Sequence, residues 1–169
     1  MKQKFIVQYI LLVVVQIILC NFFRFTPYVM LSILPVLVLC IPTRVSTIGG
    51  LFIAFATGLC VDFLAEGVAG INTFALVPVA IMRRGLIRLV FGEELIIRGE
   101  NFSMKKFGPI KVVFVIFLVQ TVFLILYLWA DGASVRPFSF NLWRYLASVG
   151  AGTLLSIAVA DVLSPDDRR

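Results

Sequence analysis

The sequence predicts an all-α integral membrane protein of six transmembrane helices, on three observations. The first is composition: 61% of the 169 residues are hydrophobic and only 14% charged, with a mean hydropathy of +1.06. Soluble domains run nearer about 45–50% apolar and about 25% charged, so this chain has too little polar surface to cover itself in water. The second is that runs such as "YILLVVVQIILC" are continuously apolar and show no alternation. Backbone in lipid must satisfy its own hydrogen bonds, and without the alternation of a barrel strand the helix is the remaining solution. The third is the placement of the basic residues.

Apolar spans fall at about 5–23, 27–42, 46–64, 70–82, 110–130 and 142–163, in one transmembrane domain over 1–169. "MKQK" followed by an apolar run resembles a signal peptide. The run is too long for one and no small-residue cleavage site follows, so a retained helix is expected. Alternating from a cytoplasmic N-terminus puts Lys2, Lys4, Arg44, Arg83, Arg84, Arg88, Arg98, Lys105, Lys106, Lys111, Arg168 and Arg169 inside. Only Arg24, Arg136 and Arg144 fall outside, which is 12 against 3 of the 15 basic residues. Cytoplasmic loops carry such an excess, so both termini are expected in the cytoplasm. The net charge of +6 is thus assigned to topology and lipid headgroups rather than to nucleic acid.

Five spans would invert the C-terminal half and erase the asymmetry, so 70–82 is expected to cross. A helix of that length covers only about 20 Å of a hydrocarbon core of about 30 Å. Either the backbone before it dips into the membrane or its helix begins near Ala65.

That junction reads "GLCVDFLAEGVAGINTFAL", with Asp62 and Glu66 between apolar flanks and no Lys or Arg from 45 to 82. Gly50, Ala54, Gly58, Asp62 and Glu66 recur every fourth residue and share one helix face. The small members allow close helix approach. Asp62 is expected to accept hydrogen bonds from N–H groups of the Gly67–Asn72 turn or the start of the next helix, where the dipole favours an anion. Asn72 is expected to bond back into the turn.

Ser148, Gly152, Ser156 and Ala160 form a similar stripe in the last span. It serves either packing within the monomer or an interface with a partner. Because a terminal helix has a free lateral side, Ser148, Gly152 and Ser156 are the candidate partner interface. Gln16 and Gln120 fall near mid-membrane and seek interhelical partners. The segment 83–109 winds into an amphipathic helix expected on the cytoplasmic leaflet, with Gly92 as a break. Arg83, Arg84, Arg88 and Arg98 form its candidate cytoplasmic surface.

Catalytic chemistry is not expected. Histidine is absent, and Asp62 and Glu66 are accompanied by no nucleophile, phosphate loop or metal spacing. Cys20, Cys40 and Cys60 fall on different sides of the membrane and read as small apolar filler. No cofactor and no metal are expected.

Gly58, Leu59, Asp62, Gly70 and Asn72 match a pattern of Gly-Leu-x-x-Asp-Leu, a short turn, then Gly-x-Asn and an apolar helix. On these residues the chain resembles the rod shape-determining protein MreD family. Phe63 stands where that pattern more often has Leu, and Ala69 precedes Gly70 without the usual Pro or Leu. The resemblance implies a non-catalytic scaffold of the bacterial cell-elongation complex in the inner membrane. It implies contact with the transmembrane helix of MreC, indirect links to RodA, its transpeptidase and MreB, and a role in regulating peptidoglycan synthesis. It also implies a fold similar to the substrate-binding components of energy-coupling-factor transporters. The alternative reading is therefore a substrate-binding component for a vitamin or other small molecule.

Overall fold

The computed structural model describes residues 3–22, 29–68, 70–93, 108–132 and 137–163, and every regular element among them is helical. The elements are α1 (Gln3–Phe22), α2 (Leu34–Leu39), α3 (Thr47–Val61) leading into a π-helical turn (Asp62–Glu66), α4 (Ile71–Phe91), α5 (Pro109–Gly132) and α6 (Phe138–Leu163).

Four segments are long and apolar enough to cross a membrane: Gln3–Phe22, Thr47–Ala65, Pro109–Asp131 and Ser139–Leu163. The chain is thus a helical membrane protein. Its outward faces suit lipid, with Val7, Ile10, Leu11 and Val14 of α1 and Phe52 and Phe55 of α3 all exposed.

The remaining two expected spans take other forms. Within 27–42 the helix occupies only the 6 residues Leu34–Leu39, a length of about 9 Å. Pro35 stands in its first turn, where no N–H is needed. Pro42 follows its end and biases Ile41 away from helical backbone. Residues 29–33 ahead of it are irregular, yet Ser32 and Ile33 are fully buried. The expected short span 70–82 is instead the first part of α4, which runs on for 21 residues to Phe91, about 31 Å. Its end carries Arg83, Arg84 and Arg88, so residues 83–91 continue α4 rather than forming a separate surface segment. Gly92 does stop the helix, at φ 84°. Residues 94–107 of the expected amphipathic segment lie outside the described residues.

Helix α4 packs most extensively on α3 and α5, and α5 in turn on α6. Helices α1 and α3 run side by side in the same direction. Tyr9 and Thr57 share a hydrogen bond of 3.0 Å, and Phe5 and Ile53, each four residues earlier, line one crevice. The short α2 contacts α4 and α5 and is wholly buried among the long helices.

Candidate functional site

Asp62 is completely buried, and five hydrogen bonds converge on its carboxylate. Oδ1 accepts from Asn72 N at 2.9 Å and Asn72 Nδ2 at 3.0 Å. Oδ2 accepts from Gly70 N at 2.9 Å, Thr73 N at 3.2 Å and Thr73 Oγ1 at 2.8 Å. Every donor comes from the start of α4, whose first N–H groups have no partner inside the helix. A helix start is ordinarily capped by the side chain of its N-cap residue. Here the N-cap is Gly70, which has none, and Asp62 supplies the cap from the preceding helix. The positive end of the α4 dipole adds to its hold on the anion.

The local backbone makes this reach possible. The α-helical ladder of α3 widens into a π turn, closed by Gly67 N donating to Asp62 O at 2.9 Å. Gly67 and Gly70 adopt φ of 69° and 102°, a left-handed region that residues with a Cβ rarely enter. The reversal between α3 and α4 is thereby completed within a few residues, and the carboxylate faces the new helix end-on.

Close packing sets the same junction from the side. A Cβ on Gly58 would lie 2.6 Å from Thr73 Cα and 2.9 Å from Thr73 N, so α3 and α4 touch backbone to backbone. The residues of the sequence motif therefore divide. Gly58, Asp62, Gly70 and Asn72 form one bonded junction, while Leu59 is half-buried and makes no polar contribution. Thr73, not singled out in the sequence, contributes two of the five hydrogen bonds. Its adjacency to Asn72 in the first turn of α4 was the available signal. Glu66 is the last residue of the π turn.

A second polar arrangement holds the irregular segment 29–33. Gln16 of α1 accepts from Ile33 N at 2.8 Å and donates to Leu31 O at 3.2 Å. Gln120 of α5 donates to Ser32 O at 3.2 Å, and Ser148 of α6 accepts from Met30 N at 2.8 Å. Three helices thus satisfy the non-helical backbone, as such backbone requires when it is shielded from water. At the other end of α2, buried Arg83 donates through Nε to Leu39 O at 3.1 Å and through Nη2 to Ile41 O. A cation at a helix C-terminus meets orphan carbonyls and the negative end of the dipole.

These contacts relocate two of the expected surfaces. Ser148, Gly152 and Ser156 are buried inside the monomer. A Cβ on Gly152 would lie 2.3 Å from Gln120 Nε2, so the stripe makes room for that amide instead of presenting a lateral interface. Arg83 leaves the expected cytoplasmic surface because its guanidinium caps α2. Arg84 is half-buried, Arg88 is exposed and pairs with Glu93 at 3.1 Å, and Arg98 lies outside the described residues.

At the α5–α6 end, Arg144 pairs with Asp131 at 2.5 Å. The three cysteines carry no disulfide. Cys20 Sγ accepts from Gln16 Nε2 at 3.0 Å. No group of three or more His, Cys, Asp or Glu arranged to hold a metal occurs among the described residues.

Comparison with known proteins identifies no relative: no family model, no curated protein and no solved structure matches this chain.

Proposed function

We propose that this protein is a non-catalytic membrane scaffold of the MreD type, spanning the bacterial inner membrane six times with both termini in the cytoplasm. In this reading α2 with the segment before it and α4 make the two further crossings, in a fold similar to the substrate-binding components of energy-coupling-factor transporters. The protein binds the membrane helix of MreC and, through the elongation complex, affects peptidoglycan synthesis by RodA and its transpeptidase and coordination with MreB.

The observation that carries the reading is the condition of Asp62. Both carboxylate oxygens are engaged by the chain's own α4, so the most distinctive polar residue holds the architecture. Gln16, Ser148 and Arg83 likewise engage backbone. The α6 stripe is occupied internally, so MreC is assigned to another lateral surface.

Transport is the second reading, favoured by the irregular 29–33 backbone ahead of the short α2, because discontinuous helices build many transporter sites. Co-purification separates the two. The scaffold reading expects MreC to be retained with this protein in mild detergent, and Asp62→Leu to lose both MreC and rod shape in cells that depend on the protein. A tightly retained small molecule, with no MreC, would favour transport instead.

A further inference from the structure

The parallel helices α1 and α3 leave a lateral crevice near their N-terminal ends. Phe5, Ile6, Tyr9, Ile41 and Ile53 line about 180 Å³. The Tyr9 hydroxyl is directed to Thr57, leaving the ring as part of an apolar wall. The volume is below the about 300–1,000 Å³ of pockets that enclose a small-molecule ligand. It also cannot admit a partner helix, whose diameter with side chains is about 10–12 Å. Part of a single hydrocarbon chain suits this size and this apolar lining. Ile6 is 39% exposed, so the crevice reaches the surface of α1, a helix long and apolar enough to face lipid.

Charge sits at the same end. Lys4 immediately precedes Phe5 on α1 and is exposed. Arg44 follows Ile41 by three residues, in the turn closed by Val45 N donating to Pro42 O at 3.0 Å, and is also exposed. Arg83 fixes Ile41 from inside by donating to its carbonyl. An apolar slot with two cations beside its lining residues complements a lipid that carries a negative headgroup above its chains. Basic residues at a membrane surface attract such lipids, by about fivefold each.

We propose that this crevice is a binding site for one anionic phospholipid, with an acyl chain between α1 and α3 and the phosphate on Lys4 and Arg44. The site wedges the loosely joined ends of α1 and α3 apart at a fixed separation, while the Tyr9–Thr57 bond ties them further along. It depends on the helices being membrane-embedded and is independent of the elongation-complex assignment.

The test is native mass spectrometry of the detergent-purified protein with equal amounts of phosphatidylglycerol and phosphatidylcholine of the same chain length. The wild type should retain phosphatidylglycerol in several-fold excess. Replacing both cations (Lys4→Gln with Arg44→Gln) should bring the two lipids close to parity. Ile6→Trp, at a lipid-facing position that tolerates bulk, should lower retention of the bound lipid. Equal retention of both lipids by the wild type would overturn the proposal. So would a preference that survives the double substitution, or retention undiminished by Ile6→Trp.

Discussion

Gly58 and Thr73 meet so closely that a Cβ on Gly58 would stand 2.6 Å from Thr73 Cα. The obstructing atom is backbone, so no side-chain rotation relieves it. Gly58→Ala must push α3 from α4 and stretch the hydrogen bonds from Gly70, Asn72 and Thr73 to Asp62. A destabilisation of about 1–3 kcal/mol is expected, the usual range for overpacking. Gly50 belongs to the same stripe, but a Cβ there meets nothing within 4 Å. Gly50→Ala should therefore leave thermal stability in detergent near wild type, and equal melting of the two variants would contradict the close-contact account.

The two glutamines should differ in weight. Gln16→Leu leaves Ile33 N and Leu31 O without a partner, whereas Gln120→Leu deprives only Ser32 O. A buried donor or acceptor left unpaired costs about 1–3 kcal/mol. Gln120 Oε1 also has no hydrogen-bond partner, so its removal relieves a buried polar atom. Gln16→Leu should lower the melting temperature clearly more than Gln120→Leu, as thermal unfolding followed by tryptophan fluorescence would report.

Gly152 and Gln120 should be coupled. Gly152→Ala sets a methyl against the Gln120 amide and should destabilise the protein. In a Gln120→Ala background the space is vacant, so the same substitution should cost much less. A double-mutant cycle measures this coupling, expected within the about 0.5–3 kcal/mol typical of contacting residues. Additive effects would mean that the α6 stripe does not pack on Gln120.

The proposed orientation predicts labelling from one side only. With the native cysteines replaced, Ser139→Cys should react with an impermeant thiol reagent on spheroplasts, and Ser46→Cys should react only after lysis. Both positions are exposed. Reversal of this pattern would invert the topology.

The legible parts of the molecule were those where one residue type had only one physical outlet. An acid among apolar flanks with no basic neighbour had to find N–H donors, and the glycine-rich turn beside it was the nearest supply. Asp62 does engage that turn and the helix after it. Amides within long apolar helices had to find partners, and Gln16 does so through both its oxygen and its nitrogen, Gln120 through its nitrogen. Thr73 was missed because a threonine has many outlets in an apolar helix, and only its place beside Asn72 in the first turn of α4 pointed to Asp62.

The break within 27–42 was hidden by hydropathy, which counts apolar residues and ignores that Pro35 and Pro42 bracket a stretch too short to cross. Arg83 was misplaced because basic residues between apolar runs usually mark a surface. The carbonyls of Leu39 and Ile41 that draw it inward come from a distant part of the chain. The α6 stripe was ambiguous for a similar reason: small residues signal close approach and do not name the neighbour.

The central claim is that Asp62 caps α4 from the preceding helix, and amide hydrogen exchange tests it most directly. In the wild type, Gly70, Asn72 and Thr73 should exchange slowly despite standing at a helix start. Asp62→Asn keeps one acceptor oxygen and should speed their exchange moderately. Asp62→Leu should speed it most, with the change centred on 70–73, and should lower thermal stability below the Asn variant, since each buried N–H left unpaired costs about 1–3 kcal/mol. Unchanged exchange at these three amides in Asp62→Leu would contradict the account.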